Sequence, residues 1–176
     1  MNIVITILLI VAGVFVLLLL FALFMKKEHY VKRDIIINAP RQKVFDYIKL
    51  LKNQDAFNKH AMTARDRERE FKGTDGTVGY IYAWKGNKDA GEGEKEIKNI
   101  IEGKSIETQI RFVKPMRAIA NIIMDTESLS DIQTKVYWSN AGILNYPLNI
   151  LVPMLEKNVA KDMDISLLNL KNILEK

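Results

Sequence analysis

Residues 84–94 read WKGNKDAGEGE: a tryptophan, then three glycines set among lysines and acids. Two folds compete for such a stretch. A phosphate-binding loop would place the chain among nucleotide-binding α/β proteins, whereas a hairpin would place it in an antiparallel sheet. The P-loop requires G-x-x-x-x-G-K-[ST]. Gly86 and Gly91 have that separation, but Glu92 and Gly93 follow where a lysine and a hydroxyl residue are needed. The dinucleotide pattern G-x-G-x-x-G fails too, because Gly91 and Gly93 would need glycine where Glu96 stands. Glu92, Glu94 and Glu96 would also put negative charge where a phosphate has to sit. The hairpin remains. In it, Gly86-Asn87 supplies the positive backbone angles of a tight turn, and Gly91 and Gly93 clear space beside Trp84 on the returning strand.

The flanks agree. Strand-like segments run from Thr63 to Phe71, Val78 to Trp84, Gly91 to Ile101, Ser105 to Phe112, Arg117 to Thr126 and Ile132 to Asn140. Short turns such as Lys72-Gly73-Thr74-Asp75-Gly76 and Glu102-Gly103-Lys104 separate them. Consecutive strands joined this way pair antiparallel. Upstream, Tyr30 to Ile37 predicts a first strand ending at Asn38-Ala39-Pro40. Val44, Phe45, Tyr47, Ile48 and Leu51 then recur at helical spacing over Arg41 to Leu51. A second short helix is expected over Asn53 to Ala61, with Phe57 turned inward. Downstream of Gly142 the period changes once more. Leu148, Leu151, Val152, Leu155, Val159, Met163, Leu167, Leu170 and Leu174 form one apolar stripe, and Pro153 belongs in the first turn of that long helix.

Before all this lies Ile3 to Met25, an uncharged apolar run interrupted only by Thr6, Ala12, Gly13 and Ala22. At about 1.5 Å per residue it spans a bilayer core of about 30 Å. A cleaved signal peptide would want a positive leader and a small-residue cleavage site, and neither Met1-Asn2 nor Phe24-Met25-Lys26-Lys27 offers one. The expected organisation is an anchor at residues 1–25 and one domain at 26–176. Lys26, Lys27, Lys32 and Arg33 follow the run and no basic residue precedes it, so the positive-inside rule puts the domain in the cytoplasm. All 26 basic and 21 acidic side chains fall after the run, with a net charge of +5 and the signs interleaved. That balance suits a solvated surface near anionic headgroups and argues against nucleic acid. In Arg65-Asp66-Arg67-Glu68-Arg69-Glu70 a strand would carry arginines on one face and acids on the other, as an exposed edge does.

At the level of residues, Ile35-Ile36-Ile37-Asn38-Ala39-Pro40 with Val44-Phe45-Asp46-Tyr47-Ile48 resembles the opening of the START-like (SRPBCC) superfamily, in its polyketide cyclase/dehydrase branch. Tyr82-Ala83-Trp84-Lys85-Gly86-Asn87-Lys88 and Gly91-Glu92-Gly93 look like that branch's central hairpin. Val136-Tyr137-Trp138, Gly142 and Leu167-Leu168-Asn169-Leu170-Lys171 resemble its last strand and helix. The resemblance covers about Tyr30 to Lys176 and leaves out the apolar run. It implies an α+β helix-grip (START-like/Bet v 1-like) fold, a curved antiparallel sheet wrapped around the long C-terminal helix with a largely apolar cavity between them. Tyr80, Tyr82 and Trp84 share a strand face, as do Ile110 and Phe112, and Ile122 lies on a further one. With Leu155 and Val159 of the helix these are the candidate ligand-binding residues, and packing the core is their competing role.

Reactive chemistry is sparse. Two histidines without paired-ligand spacing, and no cysteine, give no reason to expect a metal or other cofactor. No G-x-S-x-G nucleophile motif occurs. The acid–base candidates are His60, Asp55 and Arg111, with His60 read as a solvated helix end and Glu92, Glu94 and Glu96 as a wet outer face. From Ala141 to Leu155 the chain carries no charge, which fits a core-packed helix entry or a gate that touches the bilayer. The expected function is a membrane-anchored domain binding a hydrophobic small molecule, lipid or isoprenoid-like. Two alternatives are a cyclase/dehydratase-like enzyme, which a buried ionisable side chain at the cavity would favour, and a membrane-tethered protein-binding module. The sequence leaves the oligomeric state open.

Overall fold

A computed structural model of the chain describes residues 2–63, 67–86 and 91–176. Helix α1 (Ile3–Phe24) is followed by β1 (Glu28–Ile37), then α2 (Arg41–Ile48), a 3-10 turn (Leu51–Asn53) and the short helices α3 (Gln54–Phe57) and α4 (Lys59–Thr63). Six strands follow: β2 (Glu68–Lys72), β3 (Ile81–Lys85), β4 (Glu92–Ile101), β5 (Ser105–Lys114), β6 (Ala118–Ser130) and β7 (Gln133–Ile143). A second 3-10 turn (Leu148–Leu151) leads into α5 (Val152–Leu174), which carries Pro153 in its first turn. The strands form one sheet in the order β1-β7-β6-β5-β4-β3-β2, and every neighbouring pair is antiparallel.

Most element types match the sequence expectation, with shifts at their ends. β2 starts at Glu68, and residues 64–66 of the expected strand lie outside the described residues. β6 runs on to Ser130, four residues past its expected end at Thr126. The expected second helix is split into α3 and α4, whose break is bridged by Asn58 accepting from the His60 N–H at 3.0 Å. In the opening stretch, the Gly86 N–H donates to the Gly91 carbonyl at 2.9 Å and Gly91 has φ +64°. The expected turn residue Asn87 lies outside the described residues.

Helix α5 runs alongside β1 in the same direction. Glu156 accepts from the Tyr30 N–H, Asp164 pairs with Arg33, Lys171 donates to the Ile36 carbonyl, and Glu175 accepts from the Asn38 N–H. On its other flank the Ser166 hydroxyl accepts from the Lys59 N–H, and Asn169 donates to the Phe57 carbonyl. The sheet's inward face is thereby covered by α5 on one side and by α2 to α4 on the other. The core gathers where β1 ends: Ile37, Val44, Ile48, Phe57, Ile97 and Val136 are fully buried there with Leu170.

Helix α1 is long and apolar enough to cross a membrane, with a mean hydropathy of 3.4, and its side chains are exposed apart from the buried Ala22 and the half-buried Thr6 and Leu19. Its last turn is held by the rest of the chain. The fully buried Asn149 donates to the carbonyls of Ala22 at 2.6 Å and Met25 at 2.9 Å. Lys26 pairs with Glu156 at 2.7 Å, and the Leu144 N–H donates to the Lys27 carbonyl.

Candidate ligand-binding groove

Inward-facing side chains on the sheet follow the period-two alternation, but they are not equally covered. Ile97, Ile106, Met124 and Val136 are sealed beneath α2 and the C-terminal half of α5. Towards the opposite end, where β5 meets β6 and α5 begins, Trp84, Lys95, Ile110, Phe112, Leu155 and Val159 are only half-buried. Ile110 lies opposite Lys95 on β4 and Ala120 on β6. This half-buried stretch of the inward face, floored by β3 to β6 near the first turns of α5 and packed against the core cluster through Trp84, Ile110 and Val159, is the candidate groove.

The predicted site residues divide accordingly. Trp84, Ile110, Phe112, Leu155 and Val159 border the open end, and Tyr82 and Ile122 lie under it at 5% exposure each. Tyr80 precedes β3 and is buried with the sealed core; burial pushes its hydroxyl up to about 12. Trp84 packs edge-on to Phe112, with ring centroids 6.1 Å apart, and tilted to Tyr82 at 6.4 Å. Gly93 plays a different part from the one expected. A Cβ there would stand 2.8 Å from the Trp84 ring, so the space the glycine clears is filled by the indole. Gly142 makes the same kind of room for His29, whose Cε1 would lie 2.6 Å from an added Cβ.

Polar chemistry gathers at the β2–β3–β4 side of the groove. Asp55, on α3, accepts from the Tyr82 hydroxyl at 2.9 and 2.7 Å and from Arg67 Nη2 at 2.5 Å, and forms an ion pair with Arg69 Nε at 3.2 Å. Arg67 also donates to the Tyr82 oxygen at 2.9 Å, and its guanidinium lies 5.5 Å from the Tyr82 ring centroid and 5.9 Å from that of Trp84. Burial, reinforced by the Asp55 carboxylate, pushes the Tyr82 hydroxyl up to about 12. The exposed-edge expectation for residues 65–70 therefore needs correction. Glu68 and Glu70 do face solvent, but the Arg67 side chain is only 6% exposed because the groove-side aromatics and Asp55 enclose it. Arg65 and Asp66 lie outside the described residues.

Lys95 was not picked out by the sequence, where it sits in an alternating charged run. Glu92, Glu94 and Glu96 are on the outer face and pair there with Lys114, Arg111 and Lys98. Strand alternation then sends Lys95 inward, opposite Tyr82. Its ammonium donates to Gln54 Oε1 at 2.6 Å, and burial pulls its pKa down to about 8 from 10.5. The unfolded chain keeps this proton up to its ordinary value, so between about 8 and 10.5 unfolding takes up a proton. Stability is therefore expected to rise with pH across that window, by about 3 kcal/mol at most. Lys95→Met should remove the rise and stabilise the protein near neutral pH. Denaturant melts of both proteins at pH 7 and 10 check this, and parallel pH profiles would overturn it.

The other acid–base candidates lie elsewhere. His60 is exposed on α4, and Arg111 is held on the outer face by Glu94 and Glu96 at 2.6 and 2.7 Å. Two surface concavities also lie away from the groove. One, of about 510 Å³, includes Lys32, Arg41, Asp125 and Tyr137; the other, of about 350 Å³, is edged by Glu68, Glu70, Glu92 and Glu94. Both are ringed by charge on the sheet's outer side, so the half-buried apolar surface inside the grip is the better candidate for an apolar ligand.

A curved antiparallel sheet closed by a long C-terminal helix defines the class: this is a helix-grip protein. Solved structures share the architecture. The chain resembles the protein CV1439 from Chromobacterium violaceum at 14% identity and a TM-score of 0.60, covering 84% of this chain and 98% of that one. Ara h 8.0201 is similar at 14% identity and 0.60, covering 84% and 97%. The Aha1 dimer protein from Colwellia psychrerythraea is similar at 17% identity and 0.58, covering 83% and 96%. No family model matches the chain, and no curated protein matches it in sequence. At these identities the likeness shows the fold, a Bet v 1-like and START-like helix grip, and leaves function to the groove itself.

Proposed function

We propose that the protein is a membrane-anchored helix-grip domain that holds a hydrophobic small molecule, lipid or isoprenoid-like, between its sheet and α5. The observation that carries this reading is the uneven burial of the inward face. Trp84, Ile110, Phe112, Leu155 and Val159 stay half-buried at one end of a face that is sealed at the other. The open end is also the end at which α1 joins. In this reading residues 1–25 anchor residues 26–176, with the domain on the cytoplasmic side favoured by Lys26, Lys27, Lys32 and Arg33. The mouth then faces the bilayer surface, and anchoring raises the local concentration of membrane-dissolved ligand. Exposed Tyr146, Leu148, Leu151 and Met154 beside the mouth suit the interfacial region.

Native mass spectrometry of detergent-purified full-length protein tests the reading. The parent is expected to retain an apolar small molecule. Ile110→Trp, which plugs the groove opposite Lys95, is expected to lose it while melting within a few degrees of the parent. An empty parent, or equal retention by the folded variant, would overturn the groove assignment.

One observation favours a second reading, an enzyme of the cyclase/dehydratase sort. Lys95 reaches the groove with a pKa of about 8, within range of a proton-transfer role near neutral pH. Lys95→Arg keeps the charge but no longer titrates there. It should abolish turnover of a β-keto thioester and spare ligand retention; turnover at the parent's rate excludes Lys95 as the proton carrier.

A further inference from the structure

The polar corner of the groove is unbalanced. Among the described residues, Arg67, Arg69 and Lys95 face inward there against one carboxylate, Asp55. The neighbouring acids do not compensate, since Glu94 and Glu96 are engaged by Arg111 and Lys98 on the other side of the sheet. Two of the three cations are also short of partners. Arg67 Nε is buried without a hydrogen-bond acceptor, and the acceptor held by Lys95 is the neutral amide of Gln54. A buried cation such as Arg67, whose side chain is 6% exposed, is costly unless an anion and its hydrogen bonds offset it. These cations sit where the apolar floor ends: Lys95 stands opposite Ile110, and Arg67 lies over Trp84, whose ring meets Phe112.

We propose that the ligand is an acid-headed amphiphile: an apolar chain along Ile110, Phe112 and Val159, ending in one carboxylate or phosphate monoester received by Lys95, Arg67 and Arg69. This rests on the groove reading above and narrows it to a ligand class. Tyr82 does not supply the acid, because its hydroxyl is already spent on Asp55. A planar guanidinium beside an ammonium offers charge-assisted hydrogen bonds that an alcohol or ester head cannot use equally well.

The test is a competition on the full-length protein in detergent, read by native mass spectrometry, with oleic acid, oleyl alcohol and oleyl phosphate at equal concentrations. At least one of the two acids is expected to exceed the alcohol by about tenfold, the return on a hydrogen bond to a charged group. Which acid dominates tells carboxylate from phosphate. Lys95→Met, which should fold at least as well as the parent, is expected to bring the acid-to-alcohol ratio close to one, and Lys95→Arg to restore it. Equal adducts of acids and alcohol on the parent would overturn the head-group proposal and leave the groove standing. An acid preference unchanged in Lys95→Met would overturn it as well. No adduct of any of the three would remove the groove reading and the proposal together.

Discussion

Asp55→Ala is expected to destabilise the protein by about 3–5 kcal/mol, the cost of leaving a buried cation without its counter-ion. The Arg67 side chain is 6% exposed, and Asp55 is its carboxylate partner at 2.5 Å. The same carboxylate accepts the Tyr82 hydroxyl and ties α3 to β2 and β3. Losing it therefore strips an anion, a tyrosine acceptor and a link between layers at once. Asp55→Asn keeps an oxygen acceptor without the charge and should fall between the two. Thermal melts should show the Ala variant lower by about 10 °C for a chain of this size. A loss below about 1 kcal/mol would mean that Arg67 reaches water in the folded protein, at odds with its burial.

Gly93→Ala should cost about 1–3 kcal/mol despite adding a single methyl group. The new Cβ would lie 2.7 Å from the Arg111 carbonyl oxygen and 2.8 and 3.0 Å from two Trp84 ring carbons. The carbonyl belongs to the neighbouring strand and cannot withdraw without opening the ladder, so the indole has to give way. Fluorescence reads this directly. The chain has two tryptophans, and Trp138 is buried at 5% exposure. A red-shifted emission in Gly93→Ala thus reports Trp84 leaving its bed and turning towards solvent. Unchanged emission and stability would show that the β4–β5 pairing absorbs the methyl group.

These two substitutions mark where the sequence was legible and where it was not. The apolar stripe from Val152 to Leu174, the Pro153 start and the alternating strands are local patterns, and local patterns carried the fold. The outer face of Glu92, Glu94 and Glu96 could be read the same way. The inward lysine among them could not, because alternation says only that Lys95 faces opposite to the glutamates, and Gln54 on α3, 41 residues earlier, decides what it meets. Arg67 was misplaced for a similar reason. An alternating basic and acidic strand is normally solvated at an edge, and only the approach of α3 brings Asp55 over it. Glycines 91 and 93 were recognised as making room, but what fills it is set by the fold: the Trp84 ring at Gly93, through strand register, and the Lys114 carbonyl at Gly91.

The hold that Asn149 and Glu156 keep on the end of α1 has a mechanical consequence. A carrier that ferries cargo between membranes needs a slack leash, and here the leash has no slack: the segment from Met25 to Glu28 is pinned at both ends by Asn149, Glu156 and Leu144. With α1 in a bilayer, the grip would ride at a fixed height and attitude, unable to swing across to a second surface. On the proposed function, that constraint suits a fixed docking berth at one membrane better than a shuttle between two.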